Sequence, residues 1–158
     1  MDLAQYQQPD VIQAALAERS VAIVGLSNNH LRASYFVGYY LRRHRYEVIP
    51  VNPREQEILG ARCYADLSEL PKPPGIVNVF RAPEAVPAIA EAAVAIGAKY
   101  LWLQFGVISL EGAEIAERGG VQVIMDRCIK VEHARYLGRI HWLGFNTERI
   151  TAQRAAPP

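Results

Sequence analysis

The chain is short of the residues and segments that mark several protein classes. It has two cysteines, Cys63 and Cys128, in 158 residues, too few for a disulfide framework. Their apolar, strand-like surroundings fit a reducing compartment better than a secreted scaffold. No apolar run approaches the roughly 18 residues of a membrane span. The opening stretch MDLAQYQQ lacks the basic, then apolar, order of a signal peptide. The expectation is a soluble, cytoplasmic protein. An excess of charge is also missing: 17 Lys+Arg against 16 Asp+Glu leave +1, so no long-range pull toward nucleic acid or a membrane surface is expected. There is no internal repeat, and the one biased segment is the Ala/Pro end at residues 155–158. What is present is apolar: 51% hydrophobic residues, enough for one substantial core in one domain.

The chain is organised around VAIVGLSNNHLR, residues 21–32. Four apolar residues, three of them β-branched, read as a strand buried on both faces; Gly25 closes it, and a polar loop leads to a helix over 34–43. At such a turn the backbone N–H groups of loop and helix attract an anion. Before it, Val11, Ile12, Ala15 and Leu16 give residues 9–19 the single apolar stripe of a helix. After it, YEVIPV at 46–51 is a second strand with Pro50 at its end. Asn52-Pro53-Arg54 is a turn, and residues 58–63 read as a loop with a brief strand. Asp66 and Ser68 are both candidate caps of a short helix that the Pro-rich stretch 71–75 stops. Further strands are expected at 76–80, 100–103 and 121–125, with helices ending at 96 and spanning 110–118; Gly97 is the expected C-cap of the first.

Strands separated by single helices make βαβ units with right-handed crossovers. The expected architecture is a Rossmann-like three-layer α/β/α domain with a mainly parallel sheet. Residues 1–19 are expected as a helix packing on the core, 20–137 as the domain, and 138–158 as an extension. In that extension Ile140, Trp142, Leu143 and Phe145 need burial, either on the same domain or across a homodimer contact.

Ligands of such sheets sit at the carboxyl ends of the strands. The first loop, Gly25-Leu26-Ser27-Asn28-Asn29-His30, is not the Gly-x-Gly-x-x-Gly of dinucleotide binding, and the second strand ends in Asn52 where an acid would hold a ribose diol. Both departures count against a nicotinamide-dependent enzyme or redox sensor, which is kept as the alternative. Arg32, Arg54 and Arg81 stand at strand ends, either neutralising phosphates or as ordinary solvated loop residues. His30 is likewise a phosphate donor or an exposed loop residue. Trp102, Tyr35, Tyr39 and Tyr40 read as packing residues, and His44 and His141 as surface or packing residues.

The motifs VAIVGLS, YEVIPVNP, ILG, VNVFR, WLQFGV and MDRCIKVEH, in this order and spacing, resemble the stand-alone CoA-binding domain proteins. That family is similar in turn to the CoA-binding domain of the succinyl-CoA synthetase alpha subunit. The resemblance implies CoA or an acyl-CoA as ligand, with Ser27 and the following loop at its phosphates; Gly25, Leu26, Asn28, His30 and Arg32 are the candidate binding residues around Ser27. Asn52 and Pro53 would flank the nucleotide, and Phe80, Arg81, Gln104, Phe105 and Gly106 would line the pantetheine side; Arg54 joins the candidate binding residues as a strand-end arginine. The family's loop often has lysine and proline after the serine, where this chain has Asn28-Asn29-His30. Nothing in the sequence resembles the synthetase's phosphohistidine domain or its nucleotide-grasping subunit, so the resemblance implies a binding module and not synthetase activity.

Asp126, Arg127, Cys128, Glu132 and His133 bring a carboxylate, a thiol and an imidazole close in sequence, as at a nucleophile site. The structural reading outweighs it: a small buried thiol, and an aspartate that caps a helix or pairs with Arg127. Cys128 and His133 alone fall short of a metal's ligand set. No catalytic residue is assigned.

Overall fold

The computed structural model describes residues 2–138; the expected extension therefore lies, but for Gly138, outside the described residues. In chain order the elements are α1 (Pro9–Leu16), β1 (Ser20–Val24), α2 (Ala33–Arg43), β2 (Glu47–Val51), β3 (Glu57–Ile58), β4 (Ala61–Arg62), β5 (Ile76–Val79), α3 (Val86–Ile96), β6 (Tyr100–Leu103), α4 (Leu110–Arg118), β7 (Gln122–Ile124) and α5 (Ile129–Tyr136). The apolar run of β1 is buried on both faces. Val21 and Ile23 lie with Ile76, Trp102 and Ile124 in a core shared with α1, α2 and α5. Ala22 and Val24 lie with Val77, Val79, Leu101, Leu103 and Val123 in a core shared with α3 and α4. Period-two alternation inside a continuous apolar run thus feeds two cores, which makes the three layers of a Rossmann-like domain.

The sheet order is β2-β1-β5-β6-β7, with every pairing parallel. From β1 the chain steps outward to β2, then returns to the other side of β1 for β5. The direction of winding therefore reverses between β1 and β5, and a crevice opens there at the carboxyl ends of the strands.

Several local expectations are refined. The first helix stops at Leu16 rather than at residue 19, because the Arg19 carbonyl already accepts from the N–H of Glu47 at 2.8 Å and so belongs to the sheet. Pro50 lies inside β2, not at its end. Its position is tolerated because β2 is an edge strand of the sheet and Pro50's carbonyl faces outward, accepting from the N–H of Tyr64 at 3.0 Å. The brief strand at 58–63 is a hairpin of β3 and β4. Its turn takes positive φ at Leu59 (54°) and Gly60 (74°), as a two-residue hairpin loop matched to strand twist requires. Of the two candidate caps, Asp66 serves, accepting from the Ser68 N–H at 2.8 Å. Gly97 closes α3 with φ 84°.

Neither cysteine is in a strand. Cys63 is buried in the loop after β4, and Cys128 is half-buried at the N-cap of α5. One feature of the N-terminal stretch carries no periodic signal. Tyr6 is buried, and its carbonyl accepts from the N–H of Met125 at 3.1 Å, so residues before α1 cover the other edge of the sheet.

Candidate functional site

The site begins where β1 ends. Gly25 has φ 90°, and a Cβ placed on it would stand 2.5 Å from the Phe80 carbonyl oxygen and 3.1 Å from Cδ of Arg81. Backbone conformation and space both demand glycine there. The aliphatic stem of Arg81 accordingly lies beside Gly25, at the crevice between β1 and β5.

The loop that follows is held by its own side chains. Leu26 is fully buried, and its carbonyl accepts from Nδ2 of Asn52 at 3.0 Å. The N–H of Ser27 donates to Oγ of Ser34 at 3.0 Å, Oγ of Ser27 accepts from the N–H of Asn29 at 3.0 Å, and Oδ1 of Asn29 accepts from the N–H of Leu31 at 2.9 Å. Asn28 reaches across to Glu55 and to the Glu57 carbonyl, each at 3.3 Å. With the loop so fixed, the N–H groups of Leu26, Asn28, His30, Ala33 and Ser34 have no partner among the described residues. The end of α2 adds to this: Arg32 is at the N-cap without a side-chain cap, and the first turn holds no acid. A positive dipole end that carries a cation and no carboxylate favours an anion placed against it.

Arg32, Arg54 and Arg81 are all exposed, and none forms an ion pair among the described residues. His30 is exposed and stacks on Tyr35 at 4.5 Å between ring centroids. Both polar atoms of the Asn52 side chain are engaged at the end of β2, since its Oδ1 also accepts from the N–H of Arg54 at 2.9 Å.

Beside this loop a pocket of about 230 Å³ opens at the ends of β1 and β2. It is lined by Val24, Val51, Pro53, Asp66, Arg81 and Ile89, among others. Its walls from Leu67 of the 3-10 turn and from α3, like Ser34 in the first turn of α2, carry no sequence signal of a binding role: they read as ordinary cap and core positions.

Across the crevice, Gln104 is 4% exposed. Its Oε1 accepts from Nδ2 of Asn78 at 3.2 Å and from the N–H of Ile129 at 2.9 Å, while its Nε2 has no partner among the described residues. Phe105 is 75% exposed. Gly106, at φ 87°, donates its N–H to Oδ1 of Asp126 at 2.7 Å, so Asp126 ties two strand ends together and neither caps α5 nor pairs with Arg127 through its carboxylate.

The residues of MDRCIKVEH are dispersed by the helix. Glu132 is buried and lies 3.5 Å from both Arg127 and Arg135; burial raises its carboxyl pKa while the two guanidinium groups pull it back. His133 faces α2, its Nδ1 2.8 Å from the Tyr40 hydroxyl, with its ring edge-on to those of His44 and Tyr46. Burial, then His44 and Arg19, push it down to about 4. Burial likewise lifts the Tyr40 hydroxyl to about 12. His133 is thus a neutral packing residue, no hydrogen bond joins it to Cys128 among the described residues, and no metal-ligating cluster of three forms among them. His141 lies outside the described residues. Trp102 is fully buried and donates its indole N–H to the Arg127 carbonyl at 2.8 Å, a packing role.

The sequence model of the CoA-binding domain matches residues 19–134. The chain belongs to the CoA-binding domain family. An uncharacterized protein of Bacillus subtilis, YneT, is 40% identical over 116 residues, covering 73% of this chain and 86% of that one. Among solved structures, a hypothetical protein from Pyrococcus horikoshii superposes with a TM-score of 0.82 at 30% identity, over 87% of this chain and 98% of that one. An acetate–CoA ligase (ADP-forming) of Archaeoglobus fulgidus is 25% identical over 119 residues, which are 69% of this chain and 17% of the ligase. This CoA-binding domain therefore spans about a sixth of that enzyme. No helix among the described residues is long and apolar enough to cross a membrane.

Proposed function

We propose that this domain binds CoA or an acyl-CoA, with the phosphates of the nucleotide at residues 25–32 and the pantetheine arm directed toward Gln104. The observation that carries the reading is the first loop itself: a rigid turn whose free N–H groups, uncapped helix end with no acid in its first turn, and flanking Arg32 and Arg81 all favour anionic oxygen. Pro53, next to Asn52, borders the mainly apolar pocket, which suits an adenine ring. We assign the exposed Arg54, just after Asn52 and Pro53, to a further phosphate of the nucleotide. Phe80, Phe105 and Gly106 form the rim along which the arm runs. The nicotinamide alternative is disfavoured by Asn52, whose side chain is consumed by Leu26 and Arg54 and offers no carboxylate to a ribose diol.

Isothermal calorimetry with CoA, acetyl-CoA, NAD, NADP and ATP tests the reading. Binding of CoA species ahead of the others is expected, with thermal stabilisation to match, since ligand at 100 times its dissociation constant adds roughly 2.7 kcal/mol. Tighter binding of NAD than of CoA, or no response to any CoA species at millimolar ligand, would overturn it.

A further inference from the structure

A second cavity, of about 300 Å³, lies between α2 and the tip of the β3–β4 hairpin, lined by Tyr35, Tyr39, Arg42, Arg43 and Leu59. None of these residues lines the pocket at the strand ends or belongs to the first loop. Leu59 builds one wall. It takes φ 54°, a conformation that leucine rarely adopts, and a Cβ on Gly38 would stand 3.1 Å from its Cδ1. The hairpin tip is therefore seated in the notch that Gly38 leaves on α2, and the packing there holds Leu59 in its strained conformation.

The other walls bring rings and cations together. Tyr35, Tyr39 and Arg43 follow one another at four-residue steps, so one strip of the helix carries all three. Tyr39 is 46% exposed, which corrects the packing role its sequence suggests. Its hydroxyl accepts from Nη1 of Arg43 at 3.3 Å, and the guanidinium lies 5.8 Å from the ring centroid. Arg42 reaches to the hairpin turn, where a Cβ on Gly60 would be 3.3 Å from its Nη1. Both guanidinium groups thus rest against the walls, yet neither forms an ion pair among the described residues. No acid lines the cavity, and α2 itself contains none. Two uncompensated cations match the roughly two negative charges of a phosphate monoester. Two tyrosine rings and a leucine suit a flat aromatic group. At about 300 Å³ the cavity is at the small end of ligand pockets, which favours a single nucleotide over a larger ligand.

We infer that this groove is a second ligand site, for a nucleoside monophosphate, with the phosphate on Arg42 and Arg43 and the base against Tyr39 and Leu59. It stands apart from the crevice at the strand ends and does not rest on the reading that the domain binds CoA. Every base has a face that stacks on tyrosine, so the site accepts purine and pyrimidine nucleotides alike.

The test titrates UMP, whose base differs from the adenine of CoA, into the full chain with and without CoA in slight molar excess. Amide NMR shifts locate the ligand and calorimetry gives its affinity. The expected result is a saturable shift at Tyr39, Arg43 and Leu59 that CoA does not abolish. Arg42→Gln, Arg43→Gln and Tyr39→Ala should each weaken UMP binding roughly tenfold, with CoA binding and melting temperature unchanged. Uridine and inorganic phosphate, each lacking half of the recognised chemistry, should each bind roughly tenfold or more less tightly than UMP. The inference falls if UMP shifts only residues 25–32 or is displaced by CoA, since UMP would then be a guest of the crevice. It falls equally if inorganic phosphate binds as well as UMP, if a short oligouridylate outbinds UMP, or if millimolar UMP gives no saturable shift. Failure of CoA to bind in the same series would overturn the proposed function and leave this site standing.

Discussion

The Phe80 carbonyl oxygen lies where it would be 2.5 Å from a Cβ on Gly25, so the two strands that bound the crevice approach as closely as glycine alone permits. The carboxyl ends of β1 and β5 are thereby locked together, and the stem of Arg81 is placed beside the first loop. Gly25→Ala would meet both that oxygen and an unfavourable φ of 90°. A loss of about 2 to 4 kcal/mol is expected, read by urea denaturation. A variant as stable as the parent would show that the strands separate freely there.

Arg32 stands at the N-cap of α2, and the proposed function gives it a phosphate on the loop. Arg32→Ala should weaken CoA binding roughly tenfold or more, because charge-assisted bonds contribute about 1.5 to 3 kcal/mol. The deficit should shrink as salt rises. Ser27→Ala should cost less, since Oγ of Ser27 already accepts from Asn29. Calorimetry at two salt concentrations decides: if Arg32→Ala is silent while Arg54→Ala or Arg81→Ala abolishes binding, the phosphates lie across the other strand ends.

Asn52→Asp makes a sharp contrast. It keeps the acceptor for Arg54 but turns the donor facing the Leu26 carbonyl into a carboxylate oxygen. A stability loss of about 1 to 3 kcal/mol at neutral pH should accompany weaker CoA binding, and thermal melts with and without CoA would record both. Restored NAD affinity in this variant would argue that the pocket is built for a ribose diol after all.

His133 gives a pH dependence with a definite sign. Its pKa is pushed down to about 4 from 6.5, so the unfolded chain takes up a proton between those values that the folded chain refuses. Stability should therefore fall as pH drops from about 6.5 toward 4, by at most about 3 kcal/mol. Glu132, whose pKa is raised, acts in the opposite sense, so the informative quantity is the difference from His133→Gln, which retains an acceptor for Tyr40. Equal pH slopes in the two proteins, measured by chemical denaturation, would show that His133 titrates freely.

The alternation within VAIV, IVNV and YLWL, the punctuation by Gly25 and Gly97, and the single helices between strands were enough to determine the layers and the parallel sheet. Local propensity and burial agree at each of these positions, and such agreement is what a sequence expresses directly. The loops that follow the strands were legible for the same reason, because a parallel strand must end in a loop at one edge of the sheet. Tertiary structure alone decided which loops meet. The return of β5 to the far side of β1 brings Phe80 and Arg81 against Gly25, and no neighbouring residue in the chain encodes that approach. It also decided the fate of the charged and thiol-bearing stretch after β7. Helix geometry turned His133 toward Tyr40 and Glu132 between two arginines, while Cys128 stayed at the N-cap of α5, where the next residue, Ile129, donates its N–H to the Gln104 side chain from 25 residues away in sequence. Such long-range hydrogen bonds are satisfied by the packed fold as a whole, which is why no local pattern announces them.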